Sequence, residues 1–500
     1  MQFEFSANSL EQISADAILV FAFQSDKDKS QPILSAGLKD FDKKLQAALT
    51  KAIETASFSG KRGETLNFYL REDSLAKLIV VLGLGKKSEF VADDLRRAVG
   101  MFAGKMKRKI SSVAMCLPSE NETSLSVFLA AQMVGEGMLL GGYEFNKYKT
   151  KEKGDKEFST VIISGSASPE VRRGIEKAKL YSEATILARD LVNEQSAVAT
   201  PTYLANLAQD IAKKDPKHLS CKIFNKEEAR KLGMEAFLGI ARAADTEPKF
   251  IFLEYKSVEF AKKEKLAIVG KGITFDSGGI NVKTGDHMQD MKMDMAGAAI
   301  VLAVFSVISQ VKPEFSVIGI IAATPNMISG KSLVPGDVVK AMNGKTIEIL
   351  DTDAEGRVTL ADSLSFAVKE GATKILDFAT LTGACMVALG NDITGLFSNN
   401  SDLTAEVKKA AFEAGEKMWE LPLEKEYKEM NKSEVADISN IPSSRYAGAI
   451  TAALFLEEFI DNKPWAHLDI AGPAFIGKSN DLGPKGATGH GVRTVLNLLS

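Results

Sequence analysis

Two apolar runs of this chain, both of strand character, stop abruptly at glycines and charged side chains. The run LAIV at 266–269 is followed by GKGITFDSGGINVK at 270–283, and IEIL at 347–350 is followed by DTDAEGR at 351–357. Open α/β sheets bind their ligands at the carboxyl ends of the strands. Both stretches therefore predict a functional site in an α/β fold.

Four acidic side chains lie in or near these stretches. Asp353 and Glu355 are two residues apart, which puts both carboxylates on one face of an extended segment, and Asp276 and Asp294 accompany the first stretch. Each acid also has an ordinary structural explanation, because acids are common in turns and at helix N-termini. Four carboxylates in one half-buried cleft, however, suppress each other's ionisation unless cations are present. We therefore interpret the set as a metal site.

The residue types narrow the choice of metal. Of His218, His287, His467 and His490, only His287 lies close to either stretch, and the chain has no HExxH or CxxC motif. An oxygen-rich set without thiolates suits Mg, Mn or Zn rather than a thiolate-type structural zinc site. Several carboxylates able to bridge predict two ions, roughly 3.5–4 Å apart, which activate a bridging water.

Bulk properties favour an ordinary protein of the cytoplasm. The net charge of −3 and the pI of about 6.0 favour neither nucleic acid nor an anionic membrane. The cysteines are isolated, as expected in a reducing compartment. The N-terminal sequence does not resemble a signal peptide, and no apolar run approaches the ~20 residues of a membrane span.

The order of apolar runs and helical patterns predicts two α/β domains. We predict a small N-terminal α/β domain with a mainly parallel sheet at 1–170, a linker helix at 171–195, and a larger catalytic domain with a central mixed sheet at 196–500. In the first domain the patterns predict strands at 17–23, 78–82 and 161–164, helices at 91–109 and 168–192, and a loop at 149–156. In the second they predict strands at 250–253, 266–269, 316–321, 347–350, 374–378 and 467–470, helices at 294–311, 359–369, 405–418 and 448–460, and a loop near the site at 439–446.

The two stretches also resemble the signatures of a known family. VGKGITFDSGGINVK and DTDAEGRVTLADSL are similar to those of the leucyl aminopeptidase family, the M17 cytosolic metallo-exopeptidases, with Asp351 in place of the usual Asn. The resemblance continues in RDLVN followed by TP, and in DFATLTGA, GAITAALFL and WAHLDIAG. It covers the C-terminal two thirds strongly and the first domain loosely. It implies a macro-domain-like fold for the N-terminal domain.

The resemblance implies a role for each acid and for one lysine. Asp276 would be a ligand shared by both metals, Asp353 would bind the first metal, and Glu355 would bridge the two. Lys271 and Asp294 would bind the second metal. Ligation by Lys271 requires a neutral amine, and a nearby dication lowers the pKa of a lysine.

The resemblance also implies roles for two cations and a pocket. Lys283 would stabilise the oxyanion of the tetrahedral intermediate, and Arg357 would hold a bicarbonate ion as the proton shuttle. The predicted pocket for the first side chain of the substrate is formed by Met291, Thr380, Leu381 and Gly383. Asp351 would add negative charge near the metals without removing a ligand.

Together these observations predict a cytoplasmic, dinuclear aminopeptidase. It would remove N-terminal residues, preferably Leu or other apolar ones, from peptides by attack of a metal-bridging hydroxide. The metals would be Mn or Zn, with Mg or Co as alternatives, and the family likeness implies a homohexamer.

Two other functions remain open from the sequence. A dipeptidase acting on Cys-Gly would have the same site, so kinetics alone separates it from the first reading. DNA binding would need a basic surface, for which Lys105–Lys109 (KMKRK) is the one dense cluster in the first domain. That cluster is more typical of a helix end, so nucleic acid is not an expected partner.

Overall fold

The computed structural model describes residues 1–26, 32–35, 39, 41–43, 45–71, 74–150, 157–165, 168–257 and 264–500. The chain forms two compact units, one of 1–183 with 478–485 and one of 184–477 with 486–500. The helix Pro169–Asn193 contains the boundary at 183/184. The domain limits drawn from the sequence, with a separate linker at 171–195, stay a prediction. Most of the predicted loop at 149–156 lies outside the described residues.

The first unit is built on a mainly parallel sheet, as predicted. Its described strands are β1 (Gln2–Ser6), β2 (Ala15–Gln24), β3 (Ile33–Leu34), β4 (Thr65–Tyr69), β5 (Ala76–Lys86), β6 (Ser112–Cys116) and β7 (Thr160–Ser164). They lie in the order β1-β7-β6-β2-β5-β4, with β3 paired to β2. The pairs that involve β4 and β3 are antiparallel and the others are parallel.

Helices cover both faces of this sheet. They are α1 (Ala48–Thr55), α2 (Ala92–Met106), α3 (Glu120–Thr123), α4 (Val127–Gly141) and α5 (Pro169–Asn193). Buried residues of α2 and α4 belong to the core on one face, and those of α1 belong to the core on the other. Strands buried on both faces read as continuous apolar runs, which is why β2 and β5 were recognisable.

The basic cluster Lys105–Lys109 lies at the C-terminal end of α2, where the helix dipole favours positive charge. Lys107 Nζ and Arg108 Nη2 contact the carboxylate of Glu144 at 2.8 and 3.1 Å. The cluster is therefore partly neutralised by the protein itself.

The second unit contains a mixed sheet, again as predicted. Its strands are β8 (Leu219–Phe224), β9 (Lys249–Tyr255), β10 (Lys265–Asp276), β11 (Ser316–Asn326), β14 (Lys374–Ala379), β15 (Thr394–Ser398), β16 (Met418–Glu420) and β18 (Trp465–Asp469). The order is β16-β15-β18-β14-β10-β11-β9-β8. At its centre β18, β14, β10 and β11 run parallel to one another. Smaller sheets are formed by β12 (Val338–Lys340), β13 (Thr346–Glu348) and β17 (Ile438–Ser439), and by β19 (Phe475–Ile476) and β20 (Gly486–Ala487).

Helices surround the mixed sheet. They are α6 (Pro201–Lys213), α7 (Lys226–Lys231), α8 (Glu235–Ala241), α9 (Ala296–Val311), α10 (Glu355–Lys369), α11 (Gly383–Leu389), α12 (Ser401–Ala414), α13 (Gly448–Glu457) and α14 (Val492–Leu498). Short 3-10 turns occur at Leu10–Gln12, Lys87–Glu89, Gly285–Met288, Met291–Met293 and Lys425–Asn431. In the described part of the chain, none of the helices has the length and apolar character that crossing a membrane requires.

Several boundaries predicted from the sequence were wrong. The strand LAIV does not stop at the glycines but continues to Asp276, so Lys271 lies in the sheet and not in a loop. The run at 347–350 forms only the three-residue β13 in a side sheet. Helix α10 begins at Glu355 rather than at 359. The helix predicted at 405–418 begins at Ser401 and ends at Ala414, because Gly415 adopts a left-handed conformation (φ 66°).

Two glycines lie within β10 where the strand packs closely against its neighbours. A Cβ atom on Gly270 would lie 2.3 Å from the carbonyl oxygen of Gly297, and one on Gly272 would lie 2.8 Å from that of Ala322. A glycine at these positions thus permits close packing against α9 and β11 rather than a turn.

Candidate metal centre

The site is formed where the central parallel strands end. Asp276, Asn326 and Asp469 are the last residues of β10, β11 and β18, and Thr380 directly follows β14. All four side chains are buried. Carboxyl ends of neighbouring parallel strands lie at the same edge of a sheet, so polar residues at these positions converge.

The second acidic stretch reaches the same place through a turn and a helix start. Asp353 lies in the turn before α10, and Glu355 is the first residue of that helix. The prediction that both acids lie on one face of an extended segment was wrong, because the chain turns at Asp353 and becomes helical at Glu355. Their carboxylates nevertheless converge with Asp276, since one oxygen of each of the three residues lies within 4.8 Å of the others.

The fourth acid joins the cluster through a lysine. Lys271 Nζ lies 2.7 Å from Asp294 Oδ2, 2.8 Å from Asp294 Oδ1 and 2.9 Å from Glu355 Oε1, and all three residues are buried. Asp294 ends the turn Met291–Met293, two residues before α9. Lys283 lies on the other side, with Nζ 2.7 Å from Asp276 Oδ2 and 2.6 Å from Asp353 Oδ1.

Close packing of the backbone makes this arrangement possible. A Cβ atom on Gly356 would lie 2.5 Å from Cε of Lys271, so the first turn of α10 rests directly on the lysine. Gly278 and Gly279 have positive φ angles of 87° and 66°, and a Cβ on Gly278 would lie 3.1 Å from Asp353 Oδ1. These glycines allow the loop after β10 to turn beside the acids.

Burial and mutual repulsion perturb the acids. Burial, together with the charge of Asp276, raises the pKa of Asp353 to about 7, although Lys283 acts in the opposite direction. Burial also raises the pKa values of Asp294 and Glu355. Desolvation alone would lower the pKa of Lys271, but the neighbouring carboxylates outweigh it and the pKa is raised.

The negative charge of the cluster is therefore only partly compensated by its lysines. In their ionised forms four carboxylates and two ammonium groups leave two negative charges uncompensated. Glu355 Oε2 has no hydrogen-bond partner among the described residues, and its Oε1 faces Lys271 without hydrogen-bond geometry. Buried carboxylate oxygens without donors are unfavourable unless a cation binds them. The donor set thus fits hard or borderline divalent ions, and no histidine belongs to the described cluster.

Arg357 lies in the first turn of α10, two residues after Glu355. It is only 8% exposed, and its Nη1 donates to the carbonyl oxygen of Asn440 at 2.9 Å. Burial lowers the pKa of its guanidinium to about 10, against the charges of Glu355, Asp469 and Asp351, which raise it. The predicted loop at 439–446 does reach the site, through Asn440.

The four residues predicted to form a pocket differ in their environments. Thr380 Oγ1 donates to Asp294 Oδ1 at 2.6 Å, and its carbonyl oxygen accepts from Lys271 Nζ at 3.0 Å. Leu381 is half-buried, and Gly383 is the exposed first residue of α11. Met291 is half-buried and opens the turn that ends at Asp294.

Sequence reasoning missed the amides that orient the acids. Asn326 Nδ2 donates to Asp276 Oδ1 at 2.9 Å and to the carbonyl oxygen of Thr352 at 3.0 Å. Asn440 Oδ1 accepts from the amide of Leu350 at 2.8 Å, and its Nδ2 donates to the carbonyl oxygen of Asp351 at 2.6 Å. A signal for Asn326 was available, because it ends an apolar strand as Asp276 does. Nothing comparable marks Asn440.

Sequence reasoning also missed the anchor of the pocket turn. Asp469 Oδ1 accepts from the amide of Leu381 at 3.2 Å, and its Oδ2 accepts from Thr382 Oγ1 at 2.7 Å. Thr382 in turn caps α11 by accepting from the amide of Cys385. Asp469 therefore holds the turn that carries three of the four predicted pocket residues.

The sequence matches the models of two domains of a known protein family. Residues 186–496 match the model of the catalytic domain of the cytosol aminopeptidase family, and residues 18–152 match that of its N-terminal domain. The chain belongs to the cytosol aminopeptidase family. It is thus an enzyme of a family of metal-dependent exopeptidases, and the resemblance noted in the two stretches is confirmed.

Relatives match over the whole chain. A probable cytosol aminopeptidase of Alkaliphilus oremlandii is 41% identical over 506 residues, which cover 100% of this chain and 99% of the relative. One of Aquifex aeolicus is 42% identical over 496 residues, covering 98% and 97%.

Solved structures agree in fold. A mutant of tomato leucine aminopeptidase superposes with a TM-score of 0.89 at 37% identity, covering 100% of this chain and 96% of the other. The bottromycin maturation enzyme BotP in complex with Mn has a TM-score of 0.84 at 30% identity, covering 97% and 99%.

Proposed function

We propose that this enzyme removes N-terminal residues from peptides, preferably Leu or other apolar residues, at a site for two divalent metal ions. The observation that carries the proposal is the convergence of four acids, two lysines and Arg357 at the strand ends of a cytosol aminopeptidase fold.

The two halves of the cluster suggest how the ions would be held. Asp276, Asp353 and Glu355 would bind one ion, and Asp276 and Glu355 would be shared with a second ion at Lys271 and Asp294. Lys271 would have to lose its proton to serve as a ligand, because an ammonium group has no free lone pair. When bound, the ions would polarise the scissile carbonyl and supply an activated, bridging hydroxide. The Mn complex of BotP favours Mn, with Zn, Mg or Co as alternatives.

Lys283 is placed to stabilise developing negative charge. Its ammonium group lies against Asp276 and Asp353, and its side chain is 13% exposed, so it faces the cluster from a largely dry position. A cation fixed beside the reacting carbonyl lowers the energy of the oxyanion more than that of the ground state. We therefore assign Lys283 to the oxyanion.

Arg357 is placed to hold a small anion. Its Nε has no hydrogen-bond partner among the described residues, and a planar guanidinium suits a bidentate partner. We propose that this partner is bicarbonate, which would supply the proton-transfer chemistry that no residue of the cluster is free to provide.

The pocket supports a preference for apolar first residues. Thr380 contacts both Asp294 and Lys271, so the residues that follow it begin directly beside the cluster. We propose that Met291, Thr380, Leu381 and Gly383 receive the first side chain, for which Met and Leu offer adaptable apolar walls.

We also propose a cytoplasmic homohexamer. Large apolar side chains are exposed on loops that are hydrogen-bonded to one another near the acids; they include Ile280, Val282, Met327, Ile328 and Leu350. Such a concentration is typical of a surface that another chain covers. The names of the relatives and the unpaired cysteines support a cytoplasmic location.

The first test is metal-dependent hydrolysis of a leucine chromogenic amide. We expect chelator to abolish activity and added Mn²⁺ or Zn²⁺ to restore it, because the cluster lacks any other means of activating water. The N-acetylated substrate serves as a control, since an aminopeptidase requires the free α-amine. Full activity in protein shown to be metal-free would refute the proposal.

The second test concerns how the ions are shared. Glu355→Ala should lose both ions, whereas Asp294→Ala should lose mainly the second, because Glu355 contacts both halves of the cluster. Elemental analysis after dialysis measures the metal content. The exposed acid Asp286, mutated to Ala, is the matched control and should keep both ions. Two ions retained in Glu355→Ala would show that Glu355 does not bridge.

The third test isolates Lys283. Lys283→Ala should lower kcat by on the order of 10²–10³-fold with a much smaller change in KM, because the interaction forms in the transition state. Removing a cation from an acidic cluster should not weaken metal binding, which elemental analysis can confirm. A change confined to KM would instead assign Lys283 to substrate docking.

The fourth test separates Arg357 from the metal ligands. A guanidinium cannot ligate a cation, so Arg357→Ala should keep both ions but lose the response of activity to bicarbonate. General acid–base catalysis contributes roughly 10²–10⁴-fold, and buffer anions can partly replace the shuttle, so we expect a loss toward the lower end. If Arg357→Ala responds to bicarbonate as the wild type does, the anion binds elsewhere.

A further inference from the structure

The charges of three acids, Glu355, Asp469 and Asp351, raise the pKa of the Arg357 guanidinium against the larger effect of burial. Glu355 contacts Lys271, and in the proposed function the metal ions that it would hold offset its charge. Asp469 has both oxygens occupied by donors of the pocket turn. Asp351 differs, because no cation pairs with it among the described residues, where its Oδ1 accepts only the amide of Asp353 at 2.8 Å.

The main chain of Asp351 and the guanidinium of Arg357 share one hydrogen-bond partner, Asn440. Its amide is 3.3 Å from Asn440 Oδ1, and its carbonyl oxygen accepts from Asn440 Nδ2 at 2.6 Å. Arg357 Nη1 donates to the carbonyl oxygen of the same asparagine at 2.9 Å. One buried residue thus fixes both the main chain of Asp351 and the guanidinium, while the amide of Asp353 holds the carboxylate of Asp351 through Oδ1.

The guanidinium itself has unused donor capacity. Arg357 is 92% buried, and its Nε has no hydrogen-bond partner among the described residues. A buried donor without a partner is costly and points to a ligand that satisfies it. A small oxyanion meets this need, but it would bind within the field of the half-buried carboxylate of Asp351.

We propose that Asp351 acts as a fixed electrostatic competitor that weakens the binding of bicarbonate at Arg357. The inference rests on the proposed function and deepens it, because it names the residue that sets how much bicarbonate the site requires. A like charge held near an anion site raises the dissociation constant of the anion without touching it. Asp351 would thus act through its charge on the anion site, and it would not bind a metal.

Asp351→Asn tests the idea with little change of shape. The amide oxygen can still accept from Asp353, so the turn is kept while the charge is removed. We expect the concentration of bicarbonate that half-saturates activity to fall roughly three- to tenfold, the effect of one partly screened charge. Measurements are made at constant pH and ionic strength with saturating Mn²⁺, so that a change in metal affinity does not contribute.

A binding measurement without catalysis provides the second readout. Bicarbonate that binds the folded protein raises Tm, and this rise should occur at lower bicarbonate concentration in Asp351→Asn than in the wild type. Asp286→Asn removes an exposed acid whose charge is not among those that raise the pKa of Arg357, and it should behave as the wild type. Arg357→Ala should show no rise.

The outcomes separate this inference from the function on which it rests. Equal half-saturation in the wild type and Asp351→Asn, with no response in Arg357→Ala, would overturn the role of Asp351 and leave the bicarbonate site intact. No response in any variant would overturn the bicarbonate site itself. A shift that vanishes at saturating Mn²⁺ would assign the effect to metal binding and also overturn the inference.

Discussion

Carboxylates buried side by side are unstable unless positive charge lies among them, and the catalytic unit is organised around this requirement. Asp276, Asp294 and Glu355 are almost fully buried, and Lys271 and Lys283 lie between them and Asp353. The two lysines offset half of the charge of four acids. Because the remainder is left uncompensated, the same arrangement that stabilises the fold creates an affinity for cations.

Main-chain geometry brings these charges together. The central strands run parallel, so their last residues meet at one edge of the sheet. Gly270 lets α9 pack closely against β10, and Gly356 lets α10 pack against the side chain of Lys271 in that strand. Asn326 then joins Asp276 to the turn before α10, through the carbonyl oxygen of Thr352. Asn440, from a distant part of the chain, holds the start of the same turn at Leu350 and Asp351. Precision at the site thus comes from amide hydrogen bonds, whereas its charge comes from the acids.

Much of this could be predicted from the sequence, because apolar runs and the residues that end them are local signals. The mixed and parallel sheets were predicted, and the four acids were assigned to one site. The local structure at Lys271 was predicted wrongly, because close packing of the sheet places glycines within β10 and not in a turn. The local structure at Glu355 was also predicted wrongly, because α10 begins at this acid. Asn440 and Asp469 were missed because their partners lie about 90 residues away in the chain and no pattern in their neighbours indicates the contact.

The lysines within the cluster have a consequence for the life of the enzyme in a cell. Since the protein carries its own internal counterions, half of the negative charge of the four acids is offset by side chains of the chain itself. If activity needs divalent ions, as proposed, the amount of folded protein and the amount of active enzyme would be separate quantities.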